Sequence, residues 1–310
     1  MENDQNKYRL VTRSDMDGLV CAILLKEQKM ISEITFVHPK DVQDGKIELT
    51  ANDITTNLPY SEKVHLAFDH HISEDIRLKK HPDNYVNEAH AASVARVLYN
   101  YLGGKKTFPN ISDDMMKAVD KADSAHYTME DVLNPKGWEL LSFLMDPRTG
   151  LGRFKEFSIS NYNLMMKLID YCLEHTINDI LKLPDVKERV DLFMDQKDKH
   201  AEQIRRCTTI IKHLGVLDLR TEEIIFAGNR FVIYALYPEI TVSMHVMWGM
   251  RKQNTVFAIG KSIFNRSSTI NIGELMLQYG GGGHEAAGTC QVENNQAEEK
   301  KAELIRRLAF

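Results

Sequence analysis

Cysteine is scarce in this chain, and the few cysteines form no recognisable pattern. Only four occur among 310 residues, at Cys21, Cys172, Cys207 and Cys290, and no two have the spacing Cys-x-x-Cys. We therefore expect neither a structural zinc site nor a disulfide framework.

Long apolar runs and an excess of positive charge are also lacking. No window approaches the roughly 20 apolar residues that span a bilayer, and polar residues 1–7 lack the apolar core of a signal peptide, so we expect a cytoplasmic protein. The net charge of −5 provides no basic field to attract nucleic acid or an anionic membrane. This argues against long single-stranded DNA as a ligand, and leaves small phosphorylated molecules and short oligonucleotides.

The pattern of strands and helices predicts an α/β protein with two domains. Apolar segments at Tyr8–Thr12, Ile34–His38, Lys46–Thr50 and Val64–Phe68 have the lengths of strands and alternate with helical patterns. This alternation favours a doubly wound, mostly parallel sheet in an N-terminal domain. A long, polar helical pattern then leads to a smaller α/β domain. We predict domains at 1–187 and 214–310, with a helical connector at 188–213.

In the C-terminal part we predict strands at 224–226, 231–236, 242–247 and 255–259. Helices are predicted at Ile272–Leu277 and Ala297–Leu308.

Four carboxylates lie just after the predicted strands of the first domain. They are Asp15, Asp17, Asp53 and Asp69. Ligands of doubly wound sheets bind beyond the carboxyl ends of the strands, so these side chains are expected to meet at one edge. With His70, such a set suits Mn²⁺ best and is compatible with Mg²⁺ or Co²⁺. Two such ions would support hydrolysis of a phosphate ester or phosphoanhydride.

A glycine run marks the second domain. Gly280-Gly281-Gly282-Gly283-His284 follows a helical pattern, and backbone N–H groups without neighbouring side chains can surround an anion. A flexible turn is the plain alternative.

The order of these motifs resembles that of the DHH phosphoesterase superfamily over nearly the whole chain. Asp15-Met16-Asp17-Gly18, Asp53, Asp69-His70-His71 and Asp123 resemble its first four motifs, and Gly281-Gly282-Gly283-His284 resembles the signature of its C-terminal domain. Among bacterial members the chain is most similar to the exopolyphosphatase-related proteins.

The resemblance implies roles for individual residues. Asp15 would bind a first ion and Asp17 a second, Asp53 would bridge them, and His70 and Asp123 would complete the metal ligands, with Asp120 as the competitor of Asp123. His71 would face the substrate phosphate, and Asp69 would orient the imidazoles. The glycines Gly281, Gly282 and Gly283, with His284 and Arg266, would bind substrate. The catalytic set would be Asp15, Asp17, Asp53, His70 and His71.

Arg13 departs from the family pattern. Many members carry a histidine two or four residues before the first aspartate, where this chain has Arg13 and Val11. Arg13 is either a phosphate-binding residue or a partner in a surface salt bridge, and either one or two ions are compatible with this departure.

These features predict a metal-dependent phosphoesterase that acts on a short phosphorylated substrate, such as pAp, a short oligonucleotide, a cyclic dinucleotide or polyphosphate. The alternative is a sensor of nucleotides or phosphate ligands that kept the fold with weakened catalysis. A scaffold whose acidic cluster serves only folding ranks third, and a homodimer is compatible with all three.

Overall fold

The chain folds into two compact units, described here from a computed structural model that covers residues 7–71, 78, 82–154 and 156–309. The first unit comprises residues 1–126, 135–147 and 154–190, and the second comprises 127–134, 148–153 and 191–310. The long helix Pro184–Cys207 contributes residues to both units. The predicted domain boundaries stay a prediction.

The first unit contains a parallel sheet of five strands. Their bounds are β1 Tyr8–Arg13, β2 Ile31–Val37, β3 Asp53–Thr56, β4 Leu66–Asp69 and β5 Tyr85–Asn87. The order in the sheet is β2-β1-β3-β4-β5, and every neighbouring pair is parallel. The chain therefore reverses its direction of winding beside β1, which is where doubly wound sheets bind ligands.

The helices of the first unit pack around a buried central helix, α1. The bounds are α1 Met16–Glu27, α2 Pro39–Gln43, α3 Val94–Tyr101, α4 Asp113–Asp123, α6 Gly137–Met145, α7 Asn161–Glu174, α8 Ile177–Ile180 and α9 Pro184–Cys207. The short helix α5, Met129–Leu133, belongs to the second unit. Residues Leu19–Leu25 of α1 are fully buried, and α1 contacts α3, α4 and α7. Burial on all sides holds the first turn of α1, which carries Asp17, in a fixed position.

One hydrophobic cluster of the first unit includes residues from the segments that connect the strands. Ile47, Leu49, Leu58 and Val64 pack with Val11 and Ala67 of the strands. The predicted strand Lys46–Thr50 is wrong, because these residues form no strand and β3 begins only at Asp53.

The second unit is built on a mixed sheet of six strands. Its strands are β6 Thr208–Ile211, β7 Leu214–Asp218, β8 Val242–Trp248, β9 Thr255–Lys261, β10 Gly282–His284 and β11 Ala287–Val292, in the order β10-β11-β9-β8-β7-β6. Only β7 and β8 pair in parallel among these strands. The helices are α5, α10 Val232–Leu236, α11 Ile272–Leu277 and α12 Ala297–Ala309.

Two strand predictions in this unit are wrong. Residues 231–236 are largely the helix α10, and Ile224–Phe226 forms no strand. The fold class is confirmed: a mostly parallel α/β sheet with a second, mixed α/β unit.

Short 3₁₀ helices complete the described structure, at Gly104–Lys106, Pro147–Thr149, Leu151–Arg153, Met250–Lys252 and Asn294–Gln296. No helix within the described residues is both long enough and apolar enough to cross a membrane.

Candidate active site

The turn between β1 and α1 positions the first carboxylates. Asp15 is the N-cap of α1 and accepts a hydrogen bond of 3.0 Å from the backbone N–H of Gly18. A Cβ atom at Gly18 would lie 2.0 Å from the carbonyl oxygen of Arg13, so the chain enters the helix this closely only with glycine. This turn places Asp17 in the first turn of α1 with only 2% of its surface exposed.

Asp17 lies against the N-terminus of a second helix, α3. The backbone N–H groups of Val94 and Ala95 donate to its two carboxylate oxygens at 3.1 and 2.7 Å, and Asn57 Nδ2 donates at 2.9 Å. Free N–H groups and the positive end of the dipole at a helix N-terminus stabilise an anion. Together the three donors fix the orientation of the Asp17 carboxylate.

Asp17, His70 and Asp123 form a group in which one ligand atom from each residue lies within 4.8 Å of the others. His70 Nδ1 lies 2.9 Å from the carbonyl oxygen of Ala91, which can only accept, so Nδ1 carries the proton in this contact. The other ring nitrogen, Nε2, is 2.9 Å from Asp123 Oδ2. A carbonyl partner on one ring nitrogen is the usual arrangement of a metal-binding histidine.

The electrostatics of this group favour a cation. Burial raises the pKa of Asp17 to about 8, and the negative charges of Asp123 and Asp15 act in the same direction. Burial opposes the protonated form of His70, but the hydrogen bond and charge of Asp123 outweigh it and raise its pKa to about 9. Two carboxylates and an imidazole held in a low-dielectric site gain from a divalent ion, and these donor types fit one.

Asn57 belongs to this site and was missed by the sequence interpretation. It follows β3 directly, is 3% exposed, and has a left-handed backbone with a φ of 58°. The signal was a polar residue at the carboxyl end of a strand, in Thr55-Thr56-Asn57, but the predicted strand lay too early in the chain to reveal it.

Asp53 does not lie where the sequence interpretation put it. It is the first residue of β3 and pairs with Arg9 near the start of β1. Asn57, four residues later, marks the carboxyl end, about 13 Å away at about 3.3 Å per residue. Asp53 is instead bonded to Arg9 at 2.7 and 2.8 Å and to the N–H of Thr50 at 2.7 Å, which does not fit a bridging metal ligand.

The structure separates Asp120 from Asp123. Asp120 receives hydrogen bonds from Arg96 Nε at 3.0 Å and Ser93 Oγ at 2.8 Å, so its carboxylate links α4 to the start of α3. Asp123, one turn later, faces His70. This placement favours Asp123 as the ligand.

Asp15 and Arg13 form a pair beside the group. Arg13 Nε lies 3.1 Å from Asp15 Oδ2, and both side chains are partly exposed. The salt-bridge interpretation of Arg13 thus describes a contact that exists. A phosphate contact of Arg13 stays a prediction.

Asp69 orients the second imidazole. This buried carboxylate accepts from the backbone N–H of His70 at 2.8 Å and lies 2.6 Å from His71 Nδ1. Tyr85 Oη donates to its other oxygen at 3.4 Å. The arrangement leaves His71 Nε2 as the ring nitrogen that Asp69 does not engage, and the role of His71 toward substrate stays a prediction.

The glycine run of the second unit is not the open loop that the sequence interpretation described. Gly282–His284 form β10, an edge strand paired with β11. A Cβ at Gly281 would lie 2.2 Å from the carbonyl oxygen of Thr289, whereas one at Gly282 would meet nothing within 4 Å. Gly281 therefore allows close packing of this edge, and Gly282 faces open space.

The other predicted substrate-binding side chains of this unit are exposed. His284 ends β10, and Arg266 donates from Nε to the carbonyl oxygen of Ile263 at 3.0 Å. Their contacts with substrate stay predictions.

Known proteins resemble this chain to different degrees. A structure described as the pGpG-specific phosphodiesterase PggH from Vibrio cholerae is 57% identical, with a TM-score of 0.85, over 97% of this chain and 99% of that one. The chain belongs to the DHH phosphoesterase superfamily. As predicted, it is a hydrolase of phosphorus–oxygen bonds.

More distant proteins support the fold or match only locally. RecJ from Thermus thermophilus, solved with Mn²⁺, has a TM-score of 0.54 at 14% identity over 98% of this chain and 52% of that one, which supports the fold alone. The A-adding tRNA nucleotidyltransferase of Aquifex aeolicus is 30% identical over 112 residues, or 34% of this chain and 13% of that protein. No protein-family model matches.

Proposed function

We propose that this protein hydrolyses pGpG, the linear dinucleotide of guanylate, in a reaction that depends on a divalent cation. The observation that carries the proposal is the 57% identity, over 97% of the chain, to a phosphodiesterase specific for pGpG. The net charge of −5 agrees with a short substrate, since a long nucleic acid would need an extended basic track.

The reaction consumes one water and yields two molecules of GMP. Water adds to the internal phosphorus, the bond to the 3′-oxygen breaks, and that oxygen takes up a proton. A bound divalent cation would activate water and neutralise charge on the phosphate. We expect Asp17, His70 and Asp123 to hold it, and an imidazole in this set favours Mn²⁺ over Mg²⁺.

The remaining residues of the first unit position groups around the phosphate. Asp69 holds His71 through Nδ1. We expect His71 Nε2 to face the phosphate and to stabilise the charge that develops there. Asp15 caps α1, and the buried Asp17 lies in the first turn of this helix. We assign catalysis to residues 1–187 on this basis.

We assign substrate binding to residues 214–310, with 188–213 as connector. Backbone N–H groups near Gly282, together with His284 and Arg266, would bind the phosphate that does not react. Exposure of these residues and the open space beside Gly282 support this assignment.

The proposal is tested by measuring GMP release with Mn²⁺, with Mg²⁺ and with chelator. The substrates are pGpG, pApA, pAp, cyclic di-GMP and polyphosphate, with the matching product followed for each. We expect turnover of pGpG that is much faster than of the others, and none with chelator. Preference for another substrate would refute the proposed specificity, and tight binding of pGpG without turnover would identify a sensor.

The residue assignment has a matched pair of variants on one helix. Asp123→Asn removes a ligand charge and is expected to lower kcat by about a hundredfold or more, in the range of lost transition-state stabilisation. Asp114→Asn, earlier in the same helix, changes a carboxylate that is 79% exposed and lies 3.4 Å from Lys117 Nζ, so activity should be unchanged. Equal activity of both variants would refute the role of Asp123.

A further inference from the structure

The side-chain amide of Asn57 has a bonded nitrogen and a buried oxygen without a hydrogen-bond partner among the described residues. Its amide Nδ2 donates to Asp17 Oδ2 at 2.9 Å, so the amide is fixed beside a carboxylate of the candidate metal group. Its carbonyl oxygen Oδ1 is buried and has no hydrogen-bond partner among the described residues. A buried amide oxygen without a partner costs free energy, because it has lost its hydrogen bonds to water.

An oxygen in this state is suited to a cation. Amide oxygens are regular ligands of hard divalent ions, and the nitrogen of the same amide is already bonded to Asp17. The left-handed backbone of Asn57, with a φ of 58°, is a conformation that asparagine adopts more readily than most residues.

The other carboxylates near the group have positive or N–H partners of their own. Asp15 is bonded to the N–H of Gly18 and paired with Arg13. Asp69 is bonded to His71, and Asp120 is bonded to Arg96. Asp17, His70 and Asp123 each place one ligand atom within 4.8 Å of the others, and the Asn57 amide is bonded to Asp17. These four side chains form a donor set of the size and type that holds one divalent ion.

We infer that Asn57 is a metal ligand through Oδ1 and that the site holds one divalent ion per chain, with the Arg13 guanidinium supplying the second positive charge beside Asp15. The inference concerns the metal centre alone and does not depend on which nucleotide is hydrolysed.

The test measures Mn²⁺ binding in the absence of nucleotide. Isothermal titration and elemental analysis give stoichiometry and affinity, and electron paramagnetic resonance distinguishes isolated from coupled Mn²⁺ ions. We expect one ion per chain and the spectrum of an isolated ion. Two ions per chain, or a coupled spectrum, would overturn the inference.

Two variants at position 57 separate ligation from mere support of Asp17. Asn57→Gly tolerates the left-handed backbone and removes the oxygen, so affinity for Mn²⁺ should fall by about tenfold or more, as for the loss of a partner at a metal site. Asn57→Asp keeps an oxygen, loses the N–H donor to Asp17, and should bind Mn²⁺ at least as tightly as the natural protein.

The Mn²⁺ affinities of the two variants, taken together, show whether Asn57 is a metal ligand. Unchanged affinity in Asn57→Gly, or equally weakened affinity in both variants, would show that Asn57 is no ligand. Circular dichroism and melting with chelator present show that each variant is folded. Failure of pGpG hydrolysis would leave the metal result intact, so the two proposals fail separately.

Discussion

Single residues of the candidate site are held in place by contacts within the protein. His70 uses Nδ1 for the carbonyl of Ala91, and His71 uses Nδ1 for Asp69, so each ring keeps Nε2 for other contacts. Asp17 is fixed by three N–H donors from two other segments. A site oriented in this way loses little free energy to reorganisation when substrate binds.

Asp53 provides a prediction at the scale of single residues. The family resemblance implies that it is a metal ligand, whereas the structure places it at the amino end of β3. Asp53→Asn should leave kcat for pGpG nearly unchanged, since the carboxylate lies at the amino end of β3 and is bonded to Arg9. Loss of this partly exposed, charged contact should lower the free energy of unfolding by about 1–2 kcal/mol. Urea unfolding and steady-state kinetics measure the two effects.

The neighbouring exposed Glu48 supplies the control. Arg9 donates to the backbone carbonyl of Glu48, which a change of side chain leaves in place, so Glu48→Gln should change neither property. A loss of activity in Asp53→Asn as large as in Asp123→Asn would return Asp53 to the metal site and contradict the register of β3.

At the scale of secondary structure, the sequence was informative where burial and strand pairing coincide. The strands before Asp15 and Asp69 pair in the sheet and bury their side chains, so their apolar patterns located the carboxylates correctly. Ile47 and Leu49 pack in the core from an irregular connection, and their alternation imitated a strand. The apolar alternation indicated that these residues are buried, but it did not indicate whether they pair in the sheet. The strand was therefore predicted too early in the chain, and Asn57 at the end of the true strand was missed.

The helix α10 is a segment that was predicted as a strand and is a helix in the structure. Its sequence, Val-Ile-Tyr-Ala-Leu, is rich in residues that favour strands, yet the structure has a short helix there. Buried Val232, Ile233 and Tyr234 pack in the second unit, and Tyr234 Oη lies within hydrogen-bond distance of Ser243 Oγ, at 2.8 Å. Tertiary packing outweighs local propensity in a segment this short.

The glycine before β10 and the first glycine of β10 are predicted to differ in their effect on stability. Gly281→Ala should lower the free energy of unfolding by about 1–3 kcal/mol, because the added methyl group would meet the Thr289 carbonyl oxygen at 2.2 Å. Gly282→Ala adds the same methyl group where nothing lies within 4 Å, so stability should be unchanged. Thermal or urea unfolding of the pair measures the difference.

Kinetics of Gly282→Ala then address the proposed phosphate contact. If the backbone of this strand binds the substrate phosphate, the methyl group should raise the KM for pGpG severalfold with little change in kcat. An unchanged KM would remove Gly282 from the substrate-binding residues without affecting the metal site.

At the scale of the whole molecule, composition and the order of the motifs were enough for the fold class and the reaction class. They could not supply the substrate, because every short phosphorylated ligand offers similar oxygens to the same residues. They also could not reveal buried titratable groups outside the site, since burial of an isolated histidine has no signature in one sequence. Two such histidines, His200 and His245, lie in the second unit.

These histidines make stability depend on pH. Burial lowers the pKa of each to about 4, and neighbouring positive charge acts in the same direction, from Arg153 on His200 and from His200 and Arg230 on His245. Above the ordinary pKa of 6.5 both imidazoles are neutral in the folded and unfolded chain, and their contribution to stability is complete. As pH falls from 6.5 toward 4, the unfolded chain binds protons that the folded chain does not, so stability is lost.

We expect each imidazole to contribute about 1–2 kcal/mol of this loss between about pH 6.5 and about pH 5. Urea unfolding of His200→Gln and His245→Gln across this range should therefore show a shallower dependence on pH than the natural protein. His175→Gln, which changes an exposed histidine of the first unit, is the matched control and should follow the natural protein. Parallel curves for all four proteins would show that the two buried imidazoles accept protons while folded, and that acid destabilisation arises from other groups.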